Sequence, residues 1–127
     1  MTDGLNEYVR VAEFRSAMRR FLRRTERIAR ASGLTPQRYL LLLMIKGAPG
    51  GEQRSTVTEL SERLQLAQST VTELVGRAEE AGLVRREPSG VDGRVAHLSL
   101  TPEGEQRLSR AFSDLESERG ALRDALG

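Results

Sequence analysis

The chain has no cysteine and no tryptophan, and only one lysine and one histidine among its 127 residues. Without cysteine there can be no disulfide, no thiolate metal site and no thiol redox sensor. The single His97 has no second histidine to join it, and a metal site needs several ligands, so a structural or surface role is expected. Aromatic residues are three Phe and two Tyr, which leaves Leu, Val and Ile to build the core. No apolar run approaches the roughly 18 residues that a membrane helix needs. The opening MTDGLNEYVR lacks the apolar core of a signal peptide. Together these absences predict a cytoplasmic protein with no membrane partner.

What is present is an ordinary globular mixture, 38% hydrophobic and 30% charged. The length suits one domain, or one domain with an oligomerisation arm. Net charge is +2, and all the basic residues except Lys46 are arginine. Arginine suits bidentate and phosphate contacts better than lysine, although a genome favouring arginine codons is the preferred explanation of the bias. The charge is uneven. Residues 1–31 carry eight Arg against four acids, a balance of +4, whereas residues 52–100 carry six against eight, a balance of −2. Attraction of that second stretch to phosphate would have to come from the placement of individual arginines.

Residues 5–31 predict a long helix with two apolar lines. One runs through Leu5, Val9, Ala12, Phe21, Ile28 and Ala29, the other through Val11, Phe14, Met18 and Leu22. Such a helix can face its own core on one side and a partner on the other. Gly33 is the stop signal. Thr35-Pro36 begins a second helix, with Thr35 as N-cap. YLLLLMI (39–45) is apolar on every side, and its unbranched, Leu-rich content favours a buried helix over a strand. Gly47, Pro49, Gly50 and Gly51 then open a loop to about Ser55.

Thr56-x-x-Glu59 is a capping box and starts a helix over 57–64. A short link, Gln65-Leu66-Ala67, leads to another helix over 68–81, closed by Gly82. Two short helices joined by a tight turn form a helix-turn-helix. Leu83 to Glu87 is a strand, PSGVDG (88–93) a six-residue tip, and 94–100 a second strand. Its Ala96, Leu98 and Leu100 face one side, and Val95, His97 and Ser99 the other. Thr101-Pro102 repeats the cap-and-proline start. The last helix is lined by Leu108, Phe112, Leu115, Leu122 and Leu126, with a break expected near Gly120. The fold class is mainly α with a small β-wing, a winged helix-turn-helix between terminal helices.

In the 68–81 helix, Val71, Leu74 and Val75 must face the core, so Gln68, Ser69, Thr72 and Glu73 point outward, beside Thr70 in the first turn. Gln can pair with adenine, Ser or Thr can contact either base edge or phosphate, and Glu can accept from cytosine. A solvated polar face is the plain reading of this helix alone; its place between a capping-box helix and a hairpin favours DNA. Glu73 either reads cytosine or orients Arg77, itself a candidate phosphate contact. At the hairpin tip, Asp92 can hold Arg94 by a charge-assisted bond, and such an arginine fits a minor groove. Asp-Gly is also a common turn pair. Arg85 and Arg86 either touch phosphates or pair with Glu87 or Glu79. Arg54 and Thr56 are weaker phosphate candidates. No catalytic constellation can be assembled, and GAPGG (47–51) lacks the Lys-Ser/Thr of a P-loop, so no enzyme activity and no cofactor are expected.

The segments SGLTPQRYLLLL (32–43), TVTELSERLQLAQSTVTELVGRAEEAGLVRRE (56–87) and DGRVAHLSLTPEGEQRL (92–108) resemble the MarR family of bacterial transcription regulators. The likeness covers roughly residues 9–115, and the wing with Asp-x-Arg followed by Leu-Thr-Pro-Glu-Gly is its most specific part. The resemblance implies a homodimer with interleaved terminal helices (1–31 and 101–127) around a DNA-binding unit (32–100). It implies recognition of a near-palindromic double-stranded operator, and often a small-molecule pocket between the dimer helices and the winged module. The expected function is a repressor released by a small ligand, which the basic first helix would admit as anionic or aromatic, though no residue identifies it. Its recognition-helix contacts carry over to Gln68, Ser69, Thr70, Thr72 and Glu73, and its wing contacts to Asp92 and Arg94. Ala67 stands where the family commonly has a capping Ser, and Glu73 where a basic or small residue is common. The competing reading is a winged-helix module that binds protein and not DNA, which the −2 balance of residues 52–100 favours.

Overall fold

The computed structural model describes residues 3–89 and 95–126. Helix α1 (Asp3–Ala31) is followed by α2 (Pro36–Lys46), a single 3-10 turn (Pro49–Gly51), α3 (Val57–Leu64) and α4 (Gln68–Glu80). Strands β1 (Val84–Ser89) and β2 (Val95–Leu100) form an antiparallel pair, and α5 (Pro102–Asp114) and α6 (Glu116–Leu126) complete the chain. This is a winged helix-turn-helix with a long helix before it and a broken helix after it.

The core gathers around α2. Tyr39, Leu41, Leu42 and Ile45 of this helix are buried among Leu60 of α3, Val71, Val75 and Ala78 of α4, Leu98 of β2 and Leu108 of α5. Leu40 is the departure from an all-round buried helix: it remains 41% exposed. The Thr35 hydroxyl caps α2 by accepting from the Arg38 amide at 3.1 Å, as its Thr-Pro start predicts.

Three helices stop in the same way. After α1, the Leu34 amide reaches back to Ala29 O (2.9 Å) and the Gly33 amide to Arg30 O (3.1 Å). After α4, Leu83 reaches Ala78 O (3.0 Å) and Gly82 reaches Glu79 O (2.9 Å). After α3, Leu66 and Gln65 do the same to Ser61 and Glu62. This closure needs one left-handed residue, and a following apolar residue tucks under the helix end. Gly33 and Gly82 supply the positive φ without strain, and Leu34 and Leu83 are the buried apolar partners.

The hairpin register pairs Val84 with Leu100, Arg86 with Leu98 and Ser89 with Val95. The expected alternation holds, with Leu98 and Leu100 buried and Val95 exposed. The strands run further than the turn-rich sequence suggested: Pro88 and Ser89 pair with Ala96 and Val95 and do not belong to the tip. Proline is tolerated there because β1 is an edge strand. A third segment pairing with the hairpin was not foreseen. Ser55 exchanges both backbone bonds with Leu98 (3.1 and 2.8 Å), clipping the 47–55 loop onto the free edge of β2.

Two other expectations need correction. The C-terminal helix breaks at Leu115 and not near Gly120. The fully buried Leu115 turns the chain (φ −95°, ψ 4°), and the Arg119 guanidinium, stacked 3.7 Å from the Phe112 ring, donates to the Phe112 carbonyl. Phe112 and Leu126, expected on an apolar lining face, are largely exposed in the single chain. Both apolar lines of α1 are also open over its first part. Leu5, Val9 and Val11 are about half exposed, Tyr8 is 77% exposed, and Ala29 alone is fully buried. Near its middle, α1 packs on α6, with Arg24 paired to Glu118 at 3.1 Å.

The first turn of α5 sits hard against the end of α4. Thr101 donates its amide to Leu83 O (3.0 Å) and its hydroxyl to Gly82 O (2.6 Å), and the same hydroxyl accepts from the Gly104 amide (3.0 Å). A Cβ on Gly104 would overlap the Leu83 carbonyl. Gly104→Ala should therefore lower stability by about 1–3 kcal/mol, the usual cost of overpacking. Gly120→Ala, with open space around it in α6, should raise stability by about 0.5–1 kcal/mol through helix propensity. Urea unfolding of both variants reads the contrast.

Candidate nucleic-acid interface

The Thr56/Glu59 capping box forms as the sequence predicts. The Glu59 amide donates to Thr56 Oγ1 (3.1 Å) and the Thr56 amide to Glu59 Oε1 (2.9 Å). The bonds from Thr56 hold the Glu59 carboxyl below the usual range, with His97 and Arg63 adding smaller charge effects. From the far end of α3, Arg63 donates to Met44 O (2.8 Å) and Gly47 O (3.2 Å). It thus covers carbonyls at the end of α2 that lack a helical partner, and ties the helix pair to the central helix. No local sequence signal marks this contact, because donor and acceptors lie far apart in the chain.

Between α3 and α4, Gln65 takes a left-handed conformation (φ 56°), where glycine would be easier. Its amide side chain compensates by donating to Glu62 O at 2.6 Å, and the Ser61 hydroxyl donates to Leu66 O at 2.6 Å. The turn is thus fixed by local bonds. It presents α4 with Val71, Val75 and Ala78 inward and Gln68, Ser69, Thr70, Thr72, Glu73 and Arg77 exposed. Ala67 gives α4 no side-chain cap, so its first-turn amides have no side-chain acceptor. Gln68 makes one long contact, Nε2 to Thr58 Oγ1 at 3.4 Å.

The arginines near this face are mostly held by acids. Arg77 pairs with Glu73 at 2.6 Å, the orienting role considered for Glu73. Arg86 pairs with Glu79 at 2.8 Å, a bond that raises its pKa and braces the base of the hairpin against α4. Arg85 lies 3.1 Å from Glu87 and 3.2 Å from Ser99 Oγ. Arg54 lies 3.8 Å from Glu52. For Arg85 and Arg86, the structure thus shows the acid pairing that was one of their two expected roles. The Thr56 hydroxyl serves as a cap. Asp92 and Arg94 lie outside the described residues, so the six α4 residues are the sequence-derived candidates that the structure shows, exposed around the outer half of one helix. Among the described residues no cluster of His, Asp or Glu could hold a metal ion, and no helix is long and apolar enough to cross a membrane.

The model of the MarR family matches residues 32–95, from the end of α1 through the start of β2. The chain belongs to the MarR family. Among curated relatives, the transcriptional regulator HosA of Escherichia coli is 37% identical over 79 residues, covering 62% of this chain and 56% of HosA. The transcriptional repressor IacR of Pseudomonas putida is 33% identical over 91 residues, covering 72% and 52%. The chain spans about half the length of the curated relatives it matches. Among solved structures, the transcriptional regulator MosR of M. tuberculosis, determined in complex with DNA, is 27% identical with a TM-score of 0.66, covering 89% of this chain and 79% of MosR.

The capping box gives a pH test of this MarR-family helix pair. Because the folded state lowers the Glu59 pKa, its stabilisation is complete above the ordinary glutamate value and is lost as pH falls through the lower folded value. Glu59→Gln should cost stability at neutral pH and flatten part of the acid-side decline. Melting temperatures measured from pH 7 down to 3 should show wild type and variant converging at the acid end; parallel curves would exclude this role.

Proposed function

We propose that this chain is a homodimeric transcriptional regulator that binds double-stranded DNA with α4 in the major groove. The observation that carries this reading is the exposed polar face of α4, held by a rigid turn in a chain of a family with a DNA-bound neighbour. Gln68, Ser69, Thr70, Thr72 and Glu73 read base edges or phosphate, Arg77 contacts the backbone, and Asp92 and Arg94 serve the minor groove. Arg86 and Thr56 act mainly as braces for this surface. Residues 32–100 form the DNA-binding unit. Residues 1–31 and 101–127 pair two copies, which would cover the apolar residues that α1 leaves open. Repression is the expected direction, in keeping with the name of IacR.

A ligand site fits the cavity of about 420 Å³ between α2 and α5, walled by Leu43, Leu108 and Phe112. At its mouth Lys46 pairs with Glu105 at 2.9 Å, so an aromatic carboxylate would compete with Glu105 for the ammonium. Benzoate, used as a probe, should weaken DNA binding, and Lys46→Met should blunt that response. A response equal in both proteins would remove this site from consideration.

Selection from a random DNA pool should yield a near-palindrome bound by two chains. On it, Gln68→Ala should cost about 1–3 kcal/mol and relax the preference at one base position. Arg77→Ala should make the salt dependence shallower by about one unit of slope. Leu22→Glu should shift sedimentation toward the monomer. A pool with no enriched sequence would instead favour a protein-binding module, the reading supported by the acid-paired arginines around α4.

A further inference from the structure

We infer that the DNA duplex makes its closest approach to α4 at Gly76, where a phosphate ridge rests on bare helix backbone beside Arg77. The inference rests on the reading of α4 as the groove-binding helix. Gly76 lies in the interior of α4, where glycine weakens a helix relative to alanine. Several other glycines have a reason inside the chain: Gly33 and Gly82 take positive φ, and Gly104 faces the Leu83 carbonyl. Gly76 has neither reason. Its φ is not positive, and a Cβ placed on it would meet nothing within 4 Å. The fold itself would accept a side chain here, so the need for glycine lies with something outside the chain.

Its position says what that is. Gly76 follows Thr72 by four residues and Ser69 by seven, so it continues their line along the outward side of α4. Val71, Val75 and Ala78 take the opposite side. From Gln68, Gly76 is eight residues further along the helix, about 12 Å at the usual rise. The major groove is about 12 Å wide. A helix that enters with its first turn at the bases therefore meets the phosphate rim near Gly76.

The charges around Gly76 are compatible with a phosphate at this level and not further on. The two nearest preceding and following acids are engaged: Glu73 by Arg77 at 2.6 Å and Glu79 by Arg86 at 2.8 Å. Glu80, one turn beyond Gly76, is exposed and would repel a phosphate at its own level, which sets the outer limit of the contact. A side chain at position 76 would hold the ridge away from the helix, and the adjacent Arg77 would lose its reach. Gly76 is thus a positioning residue that sets how deeply α4 sits in the groove.

The test uses the full chain and the operator selected from the random pool. Gly76→Ala and Gly76→Leu should both melt a few degrees above wild type, because each favours a helix more than glycine does. Gly120→Ala, whose surroundings are equally open, shows the stability gain of such a swap alone. Fluorescence anisotropy should nonetheless show operator affinity reduced several-fold by Gly76→Ala and at least tenfold by Gly76→Leu. Gly76→Leu should also make the salt dependence shallower by about one unit of slope, the loss of one phosphate contact. In an Arg77→Ala background the effect of Gly76→Leu should shrink, because that contact is already gone. Variants that are more stable and bind like wild type would overturn the inference and leave the reading of α4 intact. A fall in stability with Gly76→Ala would place the need for glycine inside the fold and overturn it as well. A wild-type chain that selects no DNA sequence would overturn both.

Discussion

Burial of α2 is the constraint from which the rest of the arrangement follows. Its side chains touch every layer of the winged unit, and it packs on α1, α3, α4, α5 and β2. A helix so enclosed cannot leave its end groups to solvent, so each end has a dedicated partner. Thr35 caps the start. At the other end Arg63 covers two carbonyls, and Lys46 is held by Gln53 (2.7 Å) and Glu105. The contacts that end α2 are therefore the same ones that place α3 and α5.

The outer elements are positioned by helix ends as much as by apolar contact. Gly82 closes α4 and at once gives its carbonyl to the Thr101 hydroxyl, which in turn caps α5. Thr-Pro-Glu-Gly is thus a docking device: the threonine bonds backward, and the glycine has no side chain that would collide with Leu83. Ser55 fastens the loop before α3 to the same sheet, against Leu98. The surface carrying Gln68 and Thr72 is held by this chain of backbone bonds, which gives the proposed reading head a fixed direction relative to the hairpin.

The electrostatics carry the same lesson at a smaller scale. A balance of −2 across residues 52–100 looked unfavourable for phosphate, and the pairs formed by Arg77, Arg85 and Arg86 show where several of those acids are spent. Exposed pairs of this kind add little stability. Their effect is to hold guanidiniums in one orientation, and an incoming phosphate can compete for them. On α1, by contrast, Arg15, Arg19 and Arg23 line a shallow groove around Met18 and Leu22, a surface suited to being covered.

Local chemistry alone determined a large part of this protein. The caps at Thr35, Thr56 and Thr101, the stops at Gly33 and Gly82, the two-residue alternation of β2 and the outward face of α4 were all legible, because each depends on residues within one or two turns of chain. The break at Leu115, the extension of β1 through Pro88, the Ser55 rung, the Arg63 clamp and the need for Gly104 were not. Each is decided by a neighbour from a distant segment: a core that bends a helix, a free strand edge, a helix end or a carbonyl in the way. Hydrogen bonding within a turn is written in consecutive residues, whereas steric exclusion and long-range pairing exist only once the chain has closed on itself.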